Sequence, residues 1–270
     1  MIDTHAHLMD QSFDSDRGRV IRDAFHAGLQ TIVTIASNFS DSDSGAILSR
    51  DYPGLYYTIG LHPHEADSWH ADTSRQSMKN RIKSALAVGE IGLDYFYHFS
   101  DPTIQKQVFL EQFQLAMEFN KPVVIHCREA FSDLRSLLGE WKNAPHRGVI
   151  HCFTGTIDDA EYFLNLGYFL GFGGMLTFSR SDHIRTAAGF CPLDRLLPET
   201  DCPYLSPIPL RGTRNEPAHI IHVYRALAKL KHTHHSVLCE AMRNNFNKCF
   251  SPSQPATACF PIAPDSSPLN

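Results

Sequence analysis

The sequence predicts an α/β fold, a (β/α)8 barrel of the TIM type with a metal site at the C-terminal rim of its strands. Three observations carry this. Short β-branched or apolar runs alternate with longer helical patterns from the first residue to about position 250. Repeated strand-then-helix units need right-handed crossovers, which lead to a parallel sheet or a closed barrel. Eight such runs fit in that length, the number a closed barrel uses, and several end in a histidine or a carboxylate.

The strand candidates, in order, are 2–7, 31–36, 56–61, 87–91, 123–126, 149–151, 168–172 and 196–200. Amphipathic stretches lie between them, among them 17–27, 104–119, 131–141 and 158–166. In the second of these, Val108, Phe109, Gln112, Phe113, Leu115, Ala116 and Phe119 fall close to a helical stripe. Two further helices, 217–230 and 235–247, are expected to close the domain. A chain of 270 residues buries a sizeable core, and residues 1–250 read as one barrel rather than two small domains. The last twenty residues, 251–270, carry five prolines and several serines without helical or strand period, and are expected to form a flexible tail without catalytic content.

Composition narrows the function classes. A net charge of −5 gives no overall attraction to nucleic acid or an anionic membrane, so a polyanionic substrate must be held locally by metal and a few arginines. The start lacks the basic and apolar segments of a signal peptide, and the most apolar long stretch, 168–178, is too short and glycine-rich to span a bilayer. Seven cysteines, an odd number without any Cys-x-x-Cys pair, suit reduced thiols and a cytoplasmic location.

Sixteen histidines raise the question of whether they are placed. His5 and His7 stand two apart on the first strand, so both imidazoles face the same side. The fourth strand ends in Gly89-Glu90-Ile91-Gly92, the fifth in Ile125-His126-Cys127, the sixth in Ile150-His151-Cys152, and the eighth in Glu199, Thr200 and Asp201. A barrel puts all these ends on one rim. An isolated buried histidine or carboxylate is costly, and convergence of this set points to metal. Cys127 and Cys152 alternate outward from their histidine neighbours and read as small buried apolar groups. The histidines at 232, 234 and 235 fall between two helices and read as a solvated turn. Gly171, Gly173 and Gly174 lack the dinucleotide-binding spacing, so no nucleotide cofactor is expected. They are expected instead to give substrate room to approach the backbone.

The motifs Asp3-Thr4-His5-Ala6-His7-Leu8, Gly60-Leu61-His62-Pro63-His64, Gly89-Glu90-Ile91-Gly92-Leu93-Asp94-Tyr95 and Lys121-Pro122-Val123-Val124-Ile125-His126-Cys127-Arg128 follow one another along the chain. So do His151-Cys152-Phe153-Thr154-Gly155, Glu199-Thr200-Asp201-Cys202-Pro203-Tyr204-Leu205 and Arg211-Gly212-Thr213-Arg214-Asn215-Glu216-Pro217. In this order they resemble the TatD family of deoxyribonucleases, within the amidohydrolase-like metal-dependent barrels. The resemblance covers residues 1–250. It implies one to three divalent ions and phosphodiester cleavage, usually of DNA from the 3′ end. Carried over by position, it makes His5, His7, Glu90, His126, His151 and Asp201 the metal ligands. Cys202 stands where serine or another small residue is common and Ala6 where cysteine often sits, while the loop at 98–100 has no clear counterpart.

Hydrolysis of a phosphodiester needs a nucleophile at neutral pH and neutralisation of developing charge, which two divalent ions, Mg, Mn or Zn, would supply. On this expectation His5, His7 and Asp201 hold one ion, His126 and His151 the other, and Glu90 bridges them. Asp201 is the candidate to orient or deprotonate the attacking water, with a purely ligating role as its alternative. His62 is a candidate for substrate contact or proton transfer, and His64 for substrate binding or a structural cap. Arg128, Arg211 and Arg214, with Asn215, are the candidate phosphate contacts. The expected partner is DNA, preferably a single-stranded 3′ end, with no membrane. An amide or ester hydrolase, such as a D-aminoacyl-tRNA deacylase, remains the alternative on the same barrel and ligands. A metal-bound scaffold without turnover is disfavoured by six intact ligands.

Overall fold

The computed structural model describes residues 1–143 and 148–251. Eight strands, β1 (Ile2–Ala6), β2 (Thr31–Thr34), β3 (Leu55–Ile59), β4 (Ala87–Asp94), β5 (Val123–Arg128), β6 (Gly148–Ile150), β7 (Phe169–Phe172) and β8 (Leu196–Pro198), form one parallel sheet in chain order. The ring is drawn together between β1 and the segment after β8. Ala6 bridges Cys202, Asp201 N donates to His5 O at 2.9 Å, and His7 N donates to Cys202 O at 2.7 Å. The helices α1 (Arg17–His26), α2 (Phe39–Asp51), α3 (Ala71–Arg81), α4 (Pro102–Glu118), α5 (Phe131–Gly139), α6 (Ile157–Asn165) and α7 (Asp182–Phe190) each follow the strand of the same number. Helix α8 (Ile220–Leu230) comes after β8, and α9 (His235–Phe250) packs against β1, β6 and β8. This is the (β/α)8 barrel that the strand–helix alternation predicts. The tail expected over 251–270 falls, apart from Ser251, outside the described residues.

All eight residues of β4 and all four of β7 are buried, as strands enclosed on both faces must be. The α4 stripe faces the sheet as its period predicts: Val108, Phe109, Gln112, Phe113, Leu115 and Ala116 are buried, and Phe119 packs partly buried against the core. Asp101 caps this helix by accepting from Thr103 N at 2.7 Å, and Pro102 sits in its first turn, where its missing N–H costs nothing.

Two glutamines on α4 tie the rim together. The Gln112 amide pairs with Leu61 on both sides, accepting from its N at 2.8 Å and donating to its O at 3.0 Å. Gln105 accepts from Asp94 N and donates to Asp94 O and Ser100 O. These contacts hold the chain where β3 and β4 leave the sheet, the place from which site residues project.

Several strands stop sooner than the apolar runs suggest. The sequence extends β1 to 7, β3 to 61 and β8 to 200, whereas pairing ends at Ala6, Ile59 and Pro198. At the rim the chain turns so that polar groups face inward. Asp201, at φ 56°, adopts the left-handed conformation that Asp tolerates better than most residues.

Candidate metal centre

His5 lies within β1 and His7 just past its end; Glu90 is central in β4, His126 in β5, His151 directly after β6 and Asp201 three residues after β8. Their side chains meet in two groups. In the first, His5 Nε2 and His7 Nε2 stand 3.1 Å apart. Each approaches Glu90 Oε2, at 3.3 and 3.5 Å, and Asp201 Oδ1, at 3.7 and 3.4 Å. In the second, His126 Nδ1 and His151 Nε2 lie 2.8 and 2.7 Å from Glu90 Oε1 and 3.3 Å from each other, with His62 Nε2 at 3.6 Å from the same oxygen. The two oxygens of one carboxylate therefore address two different histidine groups.

The electrostatics follow from burial and from this crowding. Burial pushes His5 down to about 3, aided by the His151 ring stacked 3.8 Å away, and pushes His62 down to about 4. Both stay neutral near pH 7, with a lone pair available. Burial would raise the Glu90 carboxyl, but His151, His5, His62 and His126 around it hold it well below the usual carboxylate range. Asp201 is lowered against its burial by the His7 hydrogen bond and neighbouring imidazoles. His126 behaves oppositely: carboxylates at both ring nitrogens, Glu90 at Nδ1 and Asp94 at Nε2, overcome burial and raise it to about 9.

These residues fit a divalent cation. Glu90 Oε2, His5 Nδ1 and His151 Nδ1 are buried without a hydrogen-bond partner. Buried polar atoms are paired in nearly all proteins, and an anionic oxygen facing two imidazole nitrogens is suited to share a cation with them. The donors are nitrogen and carboxylate oxygen throughout, a mixed set that several divalent cations accept. Three overlapping groups, His5 with His7 and Glu90, His62 with Glu90 and His126, and His5 with His151 and Glu199, have ligand atoms close enough to share an ion. Burial pushes the thiols of Cys127 and Cys152 up, so neither offers a ready thiolate.

Three acidic residues join the site without a role assigned from sequence. Asp94 Oδ2 accepts from His126 Nε2 at 2.9 Å and His64 Nε2 at 3.0 Å, while Oδ1 accepts from the backbone of Phe96 and Tyr97. These hydrogen bonds, led by those from His126 and His64, hold its carboxyl well below the usual range against the effect of burial. Its signal was available, since Asp94 lies four residues beyond Glu90 on one strand and so on the same face. Glu199 accepts from Cys152 N at 2.5 Å and lies 3.8 Å from His151 Nδ1; burial raises its carboxyl well above the usual range. Asp3 accepts from Thr200 N at 2.9 Å and Thr200 Oγ1 at 2.6 Å, fastening β1 to the rim after β8, and burial raises it to about 7.

The remaining candidates part company. His62 joins the Glu90 group, and its Nδ1 accepts from His64 N at 3.1 Å, so it also caps the short turn that follows. His64 pairs with Asp94. Arg128, two residues past His126, has its guanidinium 3.8 Å over the Phe96 ring and no carboxylate partner among the described residues. Arg211 is exposed and stands 3.9 Å over Phe178, likewise without a carboxylate. Arg214 is engaged elsewhere: it donates to Asp16 at 2.7 and 2.9 Å, to Glu216 at 2.7 Å and to Ser12 O. Asn215 is fully buried, and its Nδ2 donates to Thr200 O and Tyr204 O, clasping the loop that carries Asp201. Gly171, near the end of β7, serves a different neighbour from the substrate expected there. A Cβ on Gly171 would lie 2.4 Å from Glu199 Oε2, so this glycine makes room for that carboxylate.

A parallel eight-stranded barrel with histidines and carboxylates gathered on its C-terminal rim defines a metal-dependent hydrolase. The family model of the TatD related DNases matches residues 2–251. The metal-dependent hydrolase YabD of Bacillus subtilis (strain 168) is 34% identical over 251 residues, covering 93% of this chain and 98% of YabD. The 3′-5′ ssDNA/RNA exonuclease TatD of Shigella flexneri is 34% identical over 234 residues, 84% of this chain and 90% of that protein. The crystal structure of YjjV, a TatD homologue from Escherichia coli K12, superposes with a TM-score of 0.87 at 30% identity, covering 93% of this chain and 98% of that one. The chain belongs to the TatD family of metal-dependent hydrolases.

Proposed function

We propose that the protein is a 3′-5′ exonuclease of single-stranded DNA that works with two divalent ions. The observation that carries this reading is the orientation of Glu90, one oxygen toward His5 and His7 and the other toward His126 and His151. On it, His5, His7 and Asp201 would hold one ion and His126 and His151 the other, with Glu90 offering an oxygen to each group. When bound, such ions supply a nucleophilic water at neutral pH and neutralise charge on the phosphate oxygens.

The chain's own residues do the rest. Asp201 Oδ accepts the proton of the attacking water, its lowered pKa keeping it ionised for that task. His62 is neutral at working pH and hydrogen-bonds a phosphate or leaving oxygen from beside Glu90. Arg128 and Arg211, without a carboxylate partner among the described residues, hold phosphates; Arg214 and Asn215 position the loop after β8 from behind. His64 orients Asp94. The relatives named as exonucleases acting on single-stranded DNA and RNA support the substrate class. Six free cysteines among the described residues suit a reducing, cytoplasmic setting.

The test incubates 3′-labelled and 5′-labelled single strands with metal-stripped protein resupplied with Mg, Mn or Zn, beside Asp201→Asn and His126→Ala. Stepwise, metal-dependent loss from the 3′ end that disappears in both variants is expected. Intact DNA under every ion, with release of amino acid from a D-aminoacyl-tRNA by the same preparation, replaces this reading with ester hydrolysis.

A further inference from the structure

Resting on the nuclease reading, we propose that Phe96, Tyr97 and Phe99 form a stacking platform for a nucleobase next to the scissile phosphate. These residues lie in the loop between β4 and α4. Their side chains stay in water although large and apolar, Phe99 at 64% exposure and Phe96 and Tyr97 at 45% and 41%. Exposed aromatic clusters of this kind mark binding surfaces. Tyr97 and Phe99 are nearly parallel, with centroids 5.5 Å apart and planes at 27°. Arg128 lays its guanidinium 3.8 Å over Phe96 and 4.9 Å from the Tyr97 centroid, adding an unpaired cation to the same surface.

The platform is continuous with the candidate centre. Phe99 and Tyr97 contact the His64 ring at 4.9 and 5.3 Å, His64 contacts His62 at 4.3 Å, and His62 stands beside Glu90. Asp94 couples the two mechanically. One of its oxygens fixes His126 and His64, and the other accepts from Phe96 N and Tyr97 N, so the carboxylate that orients a candidate ligand also fixes the aromatic loop. Gln105 holds the far side of that loop through Asp94 O and Ser100 O. Two histidine rings in contact with one another thus link the aromatic rings to Glu90, so a base stacked on them belongs to a nucleotide close to the phosphate at the centre. Stacking is sequence-tolerant, and it gives affinity that the net charge of −5 does not. Duplex DNA, whose bases are already stacked, cannot use such a surface, so the platform also selects unpaired ends.

The test measures binding of oligothymidylates with uncleavable phosphorothioate linkages to the metal-loaded protein by fluorescence anisotropy. One abasic residue is moved through the first three positions from the 3′ end. At one position wild-type protein is expected to lose about tenfold in affinity, the worth of one stacked base. Phe99→Ala and Tyr97→Ala are expected to bind the complete oligomer correspondingly weaker and to lose the abasic penalty, with metal content and salt slope unchanged. An abasic series that binds uniformly, or variants that keep the full penalty, overturns the platform. Cleavage of unmodified oligomer is followed in parallel. Cleavage without an abasic penalty removes the platform alone. An abasic penalty without cleavage under any ion keeps the platform and removes the nuclease reading.

Discussion

His126 holds a proton that an ion bound as proposed would have to displace. Its pKa is raised to about 9 because both ring nitrogens face carboxylates, so the metal-free protein carries it charged at neutral pH. Metal binding then releases that proton, and affinity rises by up to about tenfold per pH unit as the pH climbs toward that value. Competition with a coloured chelator across neutral to alkaline pH checks this; a flat profile would take His126 out of the ligand set. Asp94→Asn removes the carboxylate at Nε2 that orients the imidazole and makes it basic, and is expected to weaken metal binding about 10- to 100-fold. The same titration reads it, with the proton release shifted to lower pH. Residues such as His5, His7 and Glu90 were legible in the sequence because strand period and strand ends fix where a side chain points. The partners of Arg214 were not: Asp16 lies 198 positions away, and only the closed barrel brings the two together.

Helix α4 was legible almost residue by residue, since an acid cap, a proline and an apolar stripe all mark it. Helix α2 shows the opposite case. It buries Ser42 and Gly45 rather than a stripe of large side chains, and a Cβ on Gly45 would meet Tyr57 Cβ at 3.1 Å. A helix that packs by being small leaves little periodic apolar signal. The strand ends at the rim were misplaced in both directions: β1, β3 and β8 stop short of the expected 7, 61 and 200, while β4 and β5 pair on to Asp94 and Arg128, past the expected 91 and 126. Buried Gln112 looked like part of an apolar stripe but is a polar clamp on Leu61. Gln112→Ala leaves that backbone N–H and C=O unpaired and is expected to cost about 1–3 kcal/mol, read as a lowered urea midpoint with unchanged slope. Gln112→Leu fills the space yet leaves the same groups unsatisfied, so little recovery is expected.

The whole molecule is mildly acidic, so on the proposed reading nucleic acid is gripped at points rather than drawn to a basic face. If Arg128 and Arg211 are the two phosphate contacts, log affinity against log salt should have a slope of about −1.4 for single strands. A slope several times steeper would mean that phosphates are held over a much wider surface. A slope of that size costs about sevenfold in affinity between 50 and 200 mM salt, where six to ten phosphate contacts would cost about a thousandfold or more.

The join between the first strand and the segment after the last has a consequence for biosynthesis. His5 and His7 emerge from the ribosome well before Asp201, and Asp201 N reaches His5 O, and Cys202 reaches Ala6, only after some two hundred residues have followed. A nascent or truncated chain thus carries its leading histidines without the carboxylate that completes their group. On the proposed reading, a cell making this protein handles an inert polypeptide until translation has passed the end of the barrel, so its nucleic acid never meets a half-made enzyme.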